Sequence, residues 1–426
     1  MHVAVASTGN TLLEDALLAA GHQVSLLVPA DTAEQRRAQA PGLAVYPVKR
    51  WNSFRALLGT SLGLPGTFDQ IATIDEQAVV ACAYLRQLQK LPGLTVADAR
   101  AHTDKHRMKK RLREAGLPVA DHVLVRHSSQ VQAAGEHLGW PVVVKPRRAA
   151  GTVNTFVVTS PAHLLRLTAD GRFDRRVPDD TGRFGAGEFL LSLNEGPGFM
   201  VERYLAVRRE LFADLYLHEG ELVAAYPGYY SSPLLETLGH HQWDTVIPAE
   251  DPDGAAAVAL ALEATKALGS GTGVAHCEIL ETDEGLVVGE VAHRPGGGGI
   301  WRLYARQHGL DVPAALAALA VGQRPHMPVR SGAPVLSNLV LNPPPGIVRS
   351  IASAEELAAL PMVQETNLHL EPGSHVPGGF GTLSLAGHIA FASSATVEVD
   401  HDAQTILEAL ALEVTAPSKP AAGCVR

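Results

Sequence analysis

The sequence predicts an α/β chain: an open parallel α/β domain first, then a run of strands, hairpins and helices, then a small α+β lobe at the C-terminus. Three observations carry this. HVAVA (2–6), TLLEDALLAAG and QVSLLVPA read strand, helix, strand, the unit that builds a parallel sheet. VVVKP and FVVTS, inside 140–160, read as adjacent strands around a loop of small residues. ELFADLYLHEGELVAAYPGYY (210–230) turns at Glu219-Gly220, and VAHCEILETDEGLVVGEVA (274–292) turns at TDEG, so both read as hairpins.

The bulk properties agree with a folded enzyme-sized protein. A length of 426 residues suggests two to four domains, and 46% hydrophobic residues suit a globular chain. A net charge of −9 argues against broad binding to nucleic acid or to an anionic membrane. Cys82, Cys277 and Cys424 lie far apart and form neither a zinc spacing nor a disulfide framework, which suits a reducing cytoplasm. The start, MHVAVASTGN, has no signal-peptide pattern, and no apolar run is long enough to span a bilayer.

Taken in order, the first turn holds one glycine, Gly9, so a dinucleotide fingerprint is absent. IATID (71–75), a helix over 76–90 and a strand LTV (94–96) complete the first domain. TDKHRMKKRLREAGLP (103–118) reads as a helix capped by Thr103 and ended by Gly116 and Pro118. Its basic run has an ordinary reading as a solvated face, but Lys105 lies on the side of Met108. Lys145 interrupts a β-branched run. It is either an edge-strand lysine snorkelling to water or a lysine aimed into a phosphate site beneath the loop 147–155. GFMVERYL (198–205) is a strand. The His240-His241 pair makes a poor metal site, because neighbours on a strand point to opposite faces. Helices follow at 255–269 and 311–322, the second with Pro313 in its first turn. The tail contains GGFGTLSL (378–385), GHIAFAS (387–393) and a last helix after Asp402.

The hairpin at 274–292 carries the chemistry. A three-residue loop Asp283-Glu284-Gly285, with Gly285 left-handed, makes Thr282 face Leu286, Leu280 face Val288 and Glu278 face Glu290. Two carboxylates about 5 Å apart repel unless a cation or a shared proton sits between them. All-oxygen donors favour Mg²⁺ over zinc or iron. The alternative is an exposed pair on an antiparallel face. His276 shares the face of Glu278, and Arg294, a bidentate binder of carboxylate and phosphate, follows Glu290. The backbone of Gly296 to Gly299 can form an anion nest, or can simply be a flexible loop.

In their order and spacing, the Lys105 helix, VVVKP with its small-residue loop, MVERYL, and HCEI…GEVAHRPGG resemble the ATP-grasp superfamily. The closest likeness is to carboxylate–amine ligases of the L-amino-acid (dipeptide) ligase type, over about residues 1 to 415. The resemblance implies an ATP-grasp fold, two α+β lobes clasping ATP. It divides the chain at 1–100 (pre-ATP-grasp domain), 101–195 (small lobe with phosphate lid), 196–330 (large lobe with metal site) and 331–426 (C-terminal lobe and tail). It implies that Lys105 and Lys145 contact phosphates and that Gly151 belongs to the lid. Glu202, Tyr204 and Leu205 would hold adenine, and Glu210 the ribose. Glu278 and Glu290 would hold Mg²⁺ or Mn²⁺, and Arg294 would steady the substrate carboxylate and the transferred phosphoryl group. His276 and His293 would line the site, each a candidate base beside the leaving phosphate, with Gly296, Gly297 and Gly298 along the substrate. The implied reaction is ADP-forming amide synthesis between a small-molecule carboxylate and an amine, in a cytoplasmic enzyme of secondary metabolism, with a homodimer as a family expectation.

Three departures stand out. Ala292 replaces an expected metal-binding Asn, the lid has one glycine, and the stretch between Glu202 and Glu210 is a residue longer than usual. Alternatives are an ATP-grasp ligase acting on another acid or on a carrier protein, a purine-pathway ligase or biotin-type carboxylase, and a non-catalytic nucleotide-binding protein. A metal oxidoreductase built on His276, Glu278 and His293 rests on proximity alone.

Overall fold

The computed structural model describes residues 1–148, 151–152, 154–174, 198–237, 240–328, 334–376 and 386–415. The GGFGTLSL strand expectation, Cys424, and Ala149, Ala150 and Val153 of the lid lie outside these residues.

β1 (His2–Ala6), β2 (Gln23–Pro29), β3 (Ala44–Val48) and β4 (Gln70–Ala72) form a parallel sheet in the order β3-β2-β1-β4. Each of Val3 to Ala6 is essentially inaccessible, as a strand covered on both faces must be. α1 (Leu12–Ala19) makes the first crossover, with α2 (Ala33–Gln39), α3 (Phe54–Leu62) and α4 (Val79–Gln89) following. β3 reads poorly in sequence because Pro47 interrupts it, and proline is tolerated there because β3 is the sheet edge. The expected strand 94–96 is absent. Thr95 instead accepts a hydrogen bond from Asp98 N (3.1 Å) and caps α5 (Val96–Thr103).

α6 (Lys105–Glu114) follows directly. Its cap is Asp104, which accepts from Arg107 N, and not Thr103, which closes the preceding helix. β5 (His122–Val125), α7 (Val131–Leu138), β6 (Val142–Pro146), β7 (Phe156–Val158), α8 (Pro161–Ala169) and β8 (Phe199–Arg203) make the next unit. Its sheet is antiparallel in the order β5-β8-β6-β7. β6 therefore lies inside the sheet, and Lys145 is not an edge-strand lysine.

β9 (Val207–His218) and β10 (Glu221–Tyr230) join through Glu219 and Gly220, both left-handed (φ 53° and 82°), the geometry of a tight hairpin turn. β11 (Gln242–Val246), α9 (Pro252–Leu268), β12 (Gly273–Thr282), β13 (Gly285–Ala292), α10 (Ile300–His308) and α11 (Val312–Ala320) follow. β14 (Val335–Val340), β15 (Gly346–Ser350), α12 (Ala354–Ala358), β16 (Val363–Leu368), β17 (His375–Val376), β18 (Gly387–Ser393), α13 (Val399–Leu410) and β19 (Glu413–Thr415) end the chain. An eight-stranded sheet runs β13-β12-β9-β10-β11-β14-β18-β16, and β17-β15-β19 form a small sheet beside it. Among the described residues no helix is long and apolar enough to cross a membrane.

The large sheet obeys period two, and that alternation positions the site. On one face Leu211, Ala213, Leu215 and Leu217 of β9, with Cys277 and Ile279 of β12, pack against Ala257, Ala261, Ala264 and Leu268 of α9. The opposite face carries Glu210, Asp214, His276 and Glu278 between Phe212 and Tyr216.

Candidate active site

The hairpin brings Glu278 opposite Glu290, but not through the expected loop. The turn has two residues, Asp283 and Glu284, and Thr282 pairs with Gly285. The ladder then runs Glu281 to Leu286, Leu280 to Val287 and Ile279 to Val288. Gly289 is an extra residue, a bulge, after which Glu278 faces Glu290. A Cβ at Gly289 would stand 3.1 Å from the Glu278 carbonyl oxygen, so glycine suits the bulge. The shorter turn and the bulge displace the register by one residue in opposite senses.

The two carboxylates differ electrostatically. Burial and the Glu290 charge raise the Glu278 pKa. Glu290 is just as enclosed, yet Lys105 outweighs burial and holds its pKa below the ordinary value. Lys105, the first residue of α6, ion-pairs with Glu290 through Nζ. Burial works against the Lys105 ammonium, but Glu290 and Glu76 keep its pKa raised.

One turn along α6 lies Lys109, which the sequence reading overlooked. Its Nζ is 2.9 Å from Glu202 Oε2, and Lys145 Nζ pairs with the other oxygen of the same carboxylate. Burial lowers the Lys109 pKa. For Glu202 burial acts upward, but Lys109 and Lys145 bring it down to about 2. The i, i+4 spacing of Lys105 and Lys109 was a readable signal that both point the same way. Asp104, fully buried, receives Arg147 Nε (3.0 Å) and so ties the start of α6 to the loop after β6.

Arg294 donates through Nε (2.9 Å) and approaches with Nη2 (2.8 Å) Glu76 Oε2, a residue of the first domain. Its Nη1 donates to Pro295 O. His276 Nδ1 is 2.7 Å from Asp214 Oδ1. Burial disfavours the imidazolium, but Asp214 raises the His276 pKa above its ordinary value. Asp214 is inaccessible and also accepts from Gly296 N and, at 2.9 Å, from Tyr304 OH. His276 Nε2 is 3.4 Å from Tyr230 OH and 4.0 Å from Glu278 Oε1. A Cβ on Gly296 would meet His276 Nδ1 at 3.0 Å, which gives that glycine a packing reason. The tract is thus the ordered entry to α10, with Gly298 and Gly299 left-handed (φ 64° and 92°).

A cavity of about 400 Å³ unites most of the predicted residues. Lys105, Lys145, Gly151, Glu202, Glu210, His276, Glu278, Glu290, Arg294, Gly297 and Gly298 line it, with Lys109 and Asp244 added. Glu210 accepts from Leu234 N (2.8 Å), and burial, then Glu278, pushes its carboxyl up to about 8. Tyr204 and Leu205 are half-buried beyond β8, and Tyr204 N donates to Pro141 O (3.2 Å). They are not among the lining residues, nor are Gly296 and His293. His293 lines a neighbouring cavity of about 510 Å³, its ring 5.3 Å from that of His102, and burial brings its pKa down to about 3. His240 is exposed, and His241 Nδ1 accepts from Asn342 N.

The donor set suits a hard divalent cation in part. Glu278 and Glu290 offer facing oxygens with an unfavourable like-charge interaction that a cation would relieve. Ala292 pairs with His276 and offers no oxygen in its side chain. No group of three His, Cys, Asp or Glu residues with metal-binding geometry occurs among the described residues.

Comparison with known proteins adds the following. Residues 110–308 match the ATP-grasp domain. The L-arginine-specific L-amino acid ligase of Bacillus subtilis is 28% identical over 312 residues, 73% of this chain and 72% of that protein. The D-alanine–D-alanine ligase of Mycobacterium sp. (strain KMS) is 30% identical over 245 residues, 53% of this chain and 60% of that one. Among solved structures, the L-amino acid ligase of Bacillus licheniformis superposes with a TM-score of 0.69 at 17% identity, covering 97% of this chain and 99% of that one.

Proposed function

This chain carries an ATP-grasp domain within an ATP-grasp fold, and from that premise we propose that it is an ADP-forming ligase that joins amino acids through an acyl phosphate. The observation that carries the reading is one cleft in which facing Glu278 and Glu290 meet Lys105, Lys109, Lys145 and Arg294. We assign the clasp to lobes 101–195 and 196–330.

In this reading the substrate carboxylate attacks the γ-phosphorus of ATP, an O–P bond forms, and the bridging P–O bond breaks with release of ADP. The amine lone pair then attacks the acyl carbon, the C–N bond forms, and phosphate leaves with the C–O electron pair and takes up the proton that the nitrogen loses. Both carboxylate and phosphates are anionic, so fixed cations lower the barrier by meeting charge that is already in place. Lys105, Lys109 and Lys145 supply it, held at set positions by Glu290 and Glu202. Glu278 and Glu290 would hold a divalent cation such as Mg²⁺, which when bound would supply positive charge that offsets the repulsion between phosphates and nucleophile. Arg294, anchored by Glu76 of the first domain, steadies the carboxylate undergoing transfer. His276, oriented by Asp214, presents Nε2 4.0 Å from Glu278 Oε1. Asp214 on Nδ1 leaves Nε2 of His276 as a candidate base for the amine, while His293 lies in the other cavity. The lid around Gly151 protects the acyl phosphate from water.

The test is ADP release in a screen of amino-acid pairs with ATP and Mg²⁺. Release should require both a carboxylate and an amine. Glu290→Gln should bring turnover to background while circular dichroism stays native, and Glu278→Gln should do the same with the Lys105 pair intact. Unchanged turnover in both variants would refute the metal assignment.

A further inference from the structure

Two deeply buried acceptors on the cleft wall have no role in the chemistry above. Gln242 and Asp244 stand two apart on β11, so they share a face, and both line the cleft. They are 4% and 2% exposed. Gln242 Oε1 and Asp244 Oδ1 have no hydrogen-bond partner among the described residues. Asp214, buried as deeply, accepts from His276, Gly296 and Tyr304. Asn338 hydrogen-bonds the Asp244 carboxylate, so the open acceptor is Oδ1; an unpaired carboxylate oxygen at such depth is costly, and proteins keep one only where something else offsets it. Burial pushes the Asp244 carboxyl up to about 7, against Asn338 and His276, which act downward.

The surroundings leave the site open to a ligand. Tyr230 and Asn338 flank Asp244 across the ladder on either side. Asn338 donates to Gly298 O (2.9 Å) as well as to the Asp244 carboxylate, and neither bond satisfies Oδ1. A Cβ on Gly298 would come within 3.6 Å of Asp244 Oδ2, so glycine leaves space there. Of the cations that line the cleft, Lys145 pairs with Glu202 and Arg294 with Glu76, and His276, whose charge reaches Asp244, is itself held by Asp214.

We propose that Asp244, with Gln242 beside it, seats a cationic nitrogen of an amino-acid substrate, an ammonium or a guanidinium whose N–H groups fill these two acceptors. The seat rests on the ligase reading above. Acceptor-only oxygens select N–H donors, and a carboxylate selects positive charge among them. Arg294 and Gly298 mark the two ends of one short tract, which spans at most about 14 Å. A dipolar substrate fits between the guanidinium at one end and the Asp244 carboxylate at the other. The nitrogen is either the attacking amine or a basic side chain, and the same oxygens serve both.

The experiment compares the wild type with Asp244→Asn, which keeps the shape and removes the charge. Calorimetric binding of L-lysine, L-norleucine and Nα-acetyl-L-lysine is measured with ADP and Mg²⁺ present. If the seat takes the attacking amine, lysine and norleucine both bind the variant at least tenfold more weakly, and the acetylated compound binds the wild type poorly. If it takes a side chain, the wild type prefers lysine to norleucine at least tenfold and the variant loses the preference. Affinities within twofold of wild type for all three compounds, or no binding of any to the wild type, overturn the seat. Gln242→Met should move the same affinities in the same direction by a smaller factor, and it serves if Asp244→Asn fails to fold. Failure of the ligase reading looks different: lysine binding that depends on Asp244 but yields no ADP with any amino-acid pair removes the ligase and keeps the seat.

Discussion

Replacing Glu202 by glutamine isolates the ion-pair cluster under the proposed phosphate site. Glu202 ion-pairs with Lys109 at 2.9 Å through Oε2 and with Lys145 through its other oxygen, and Lys109 is 1% exposed. The two ammonium groups bring the Glu202 pKa from 4.5 to about 2 despite burial. At about 1.4 kcal/mol per pKa unit, that difference corresponds to roughly 3 kcal/mol of folding free energy. Breaking a buried pair by removing one partner costs a similar roughly 3–5 kcal/mol. Glu202→Gln should therefore lose about 3 kcal/mol in urea unfolding at pH 7. The sign with pH follows from a depressed carboxylate: the wild-type advantage is fully present above pH 4.5 and is lost as pH falls toward about 2. The two unfolding curves should converge across that window. Burial already lowers the Lys109 pKa, so the variant relaxes by shedding that proton, and its deficit should also shrink at alkaline pH. A loss below about 1 kcal/mol at pH 7, in the range of exposed pairs, would refute the argument, as would a deficit independent of pH.

Other consequences can be measured in the same preparations. Burial holds the His102 and His293 pKa values at about 4 and about 3, below the ordinary 6.5, so the unfolded chain binds protons first. Thermal stability should fall as pH drops from 6.5 toward 4, and His102→Gln should flatten that slope. Gly228→Ala would put a Cβ 2.2 Å from the Phe212 ring and 2.3 Å from Thr245 O, so it should cost about 1–3 kcal/mol or more in chemical denaturation. Tyr304→Phe removes a 2.9 Å donor from Asp214 and should cost about 1–3 kcal/mol. It should also lower kcat through a looser His276 while the KM for ATP holds.

The parts of the fold that read well in sequence are those whose signal is local. β1, α1 and β2 are an apolar run, an amphipathic stretch and a second run, each bounded by turn residues. The hairpin at Glu219-Gly220 is set by two residues that accept a left-handed backbone. α5 was missed because VADARAHT shows almost no amphipathic pattern, and its neighbour Asp104 competes with Thr103 as a cap of nearly equal merit. Glu76, Asp214 and Asp244 were invisible for a different reason. Each is one acidic residue in an ordinary strand or turn, and its meaning comes from a partner or a cleft supplied by remote chain. Arg294 and Glu76 are separated by 218 residues. Such pairings belong to tertiary structure, and no spacing rule reports them.

The Glu278–Glu290 pair shows how the expected facing of two residues can arise from a local geometry other than the expected one. A three-residue loop and a regular ladder place the two carboxylates face to face. So do a two-residue turn and a bulge at Gly289, because each change shifts the partner strand by one and the shifts cancel. The routes differ at every intervening pair: Leu280 meets Val287 and not Val288. What both preserve is parity, with Glu278 and Glu290 on the cleft face and Ile279 and Val291 in the core against α9. The buried face therefore constrains the outcome more tightly than the turn does. A Gly289 deletion separates the two causes. With the two-residue turn kept, the deletion returns the ladder to plain pairing and leaves Glu278 opposite Glu290, so ADP release should be retained; a three-residue turn in the same variant would set Glu290 opposite Ile279, turn it toward the core and abolish release. Amide exchange at Glu284 and Gly285 distinguishes these outcomes; retained activity with an unchanged turn is what cavity-side parity requires, and loss of activity with an unchanged turn would refute it.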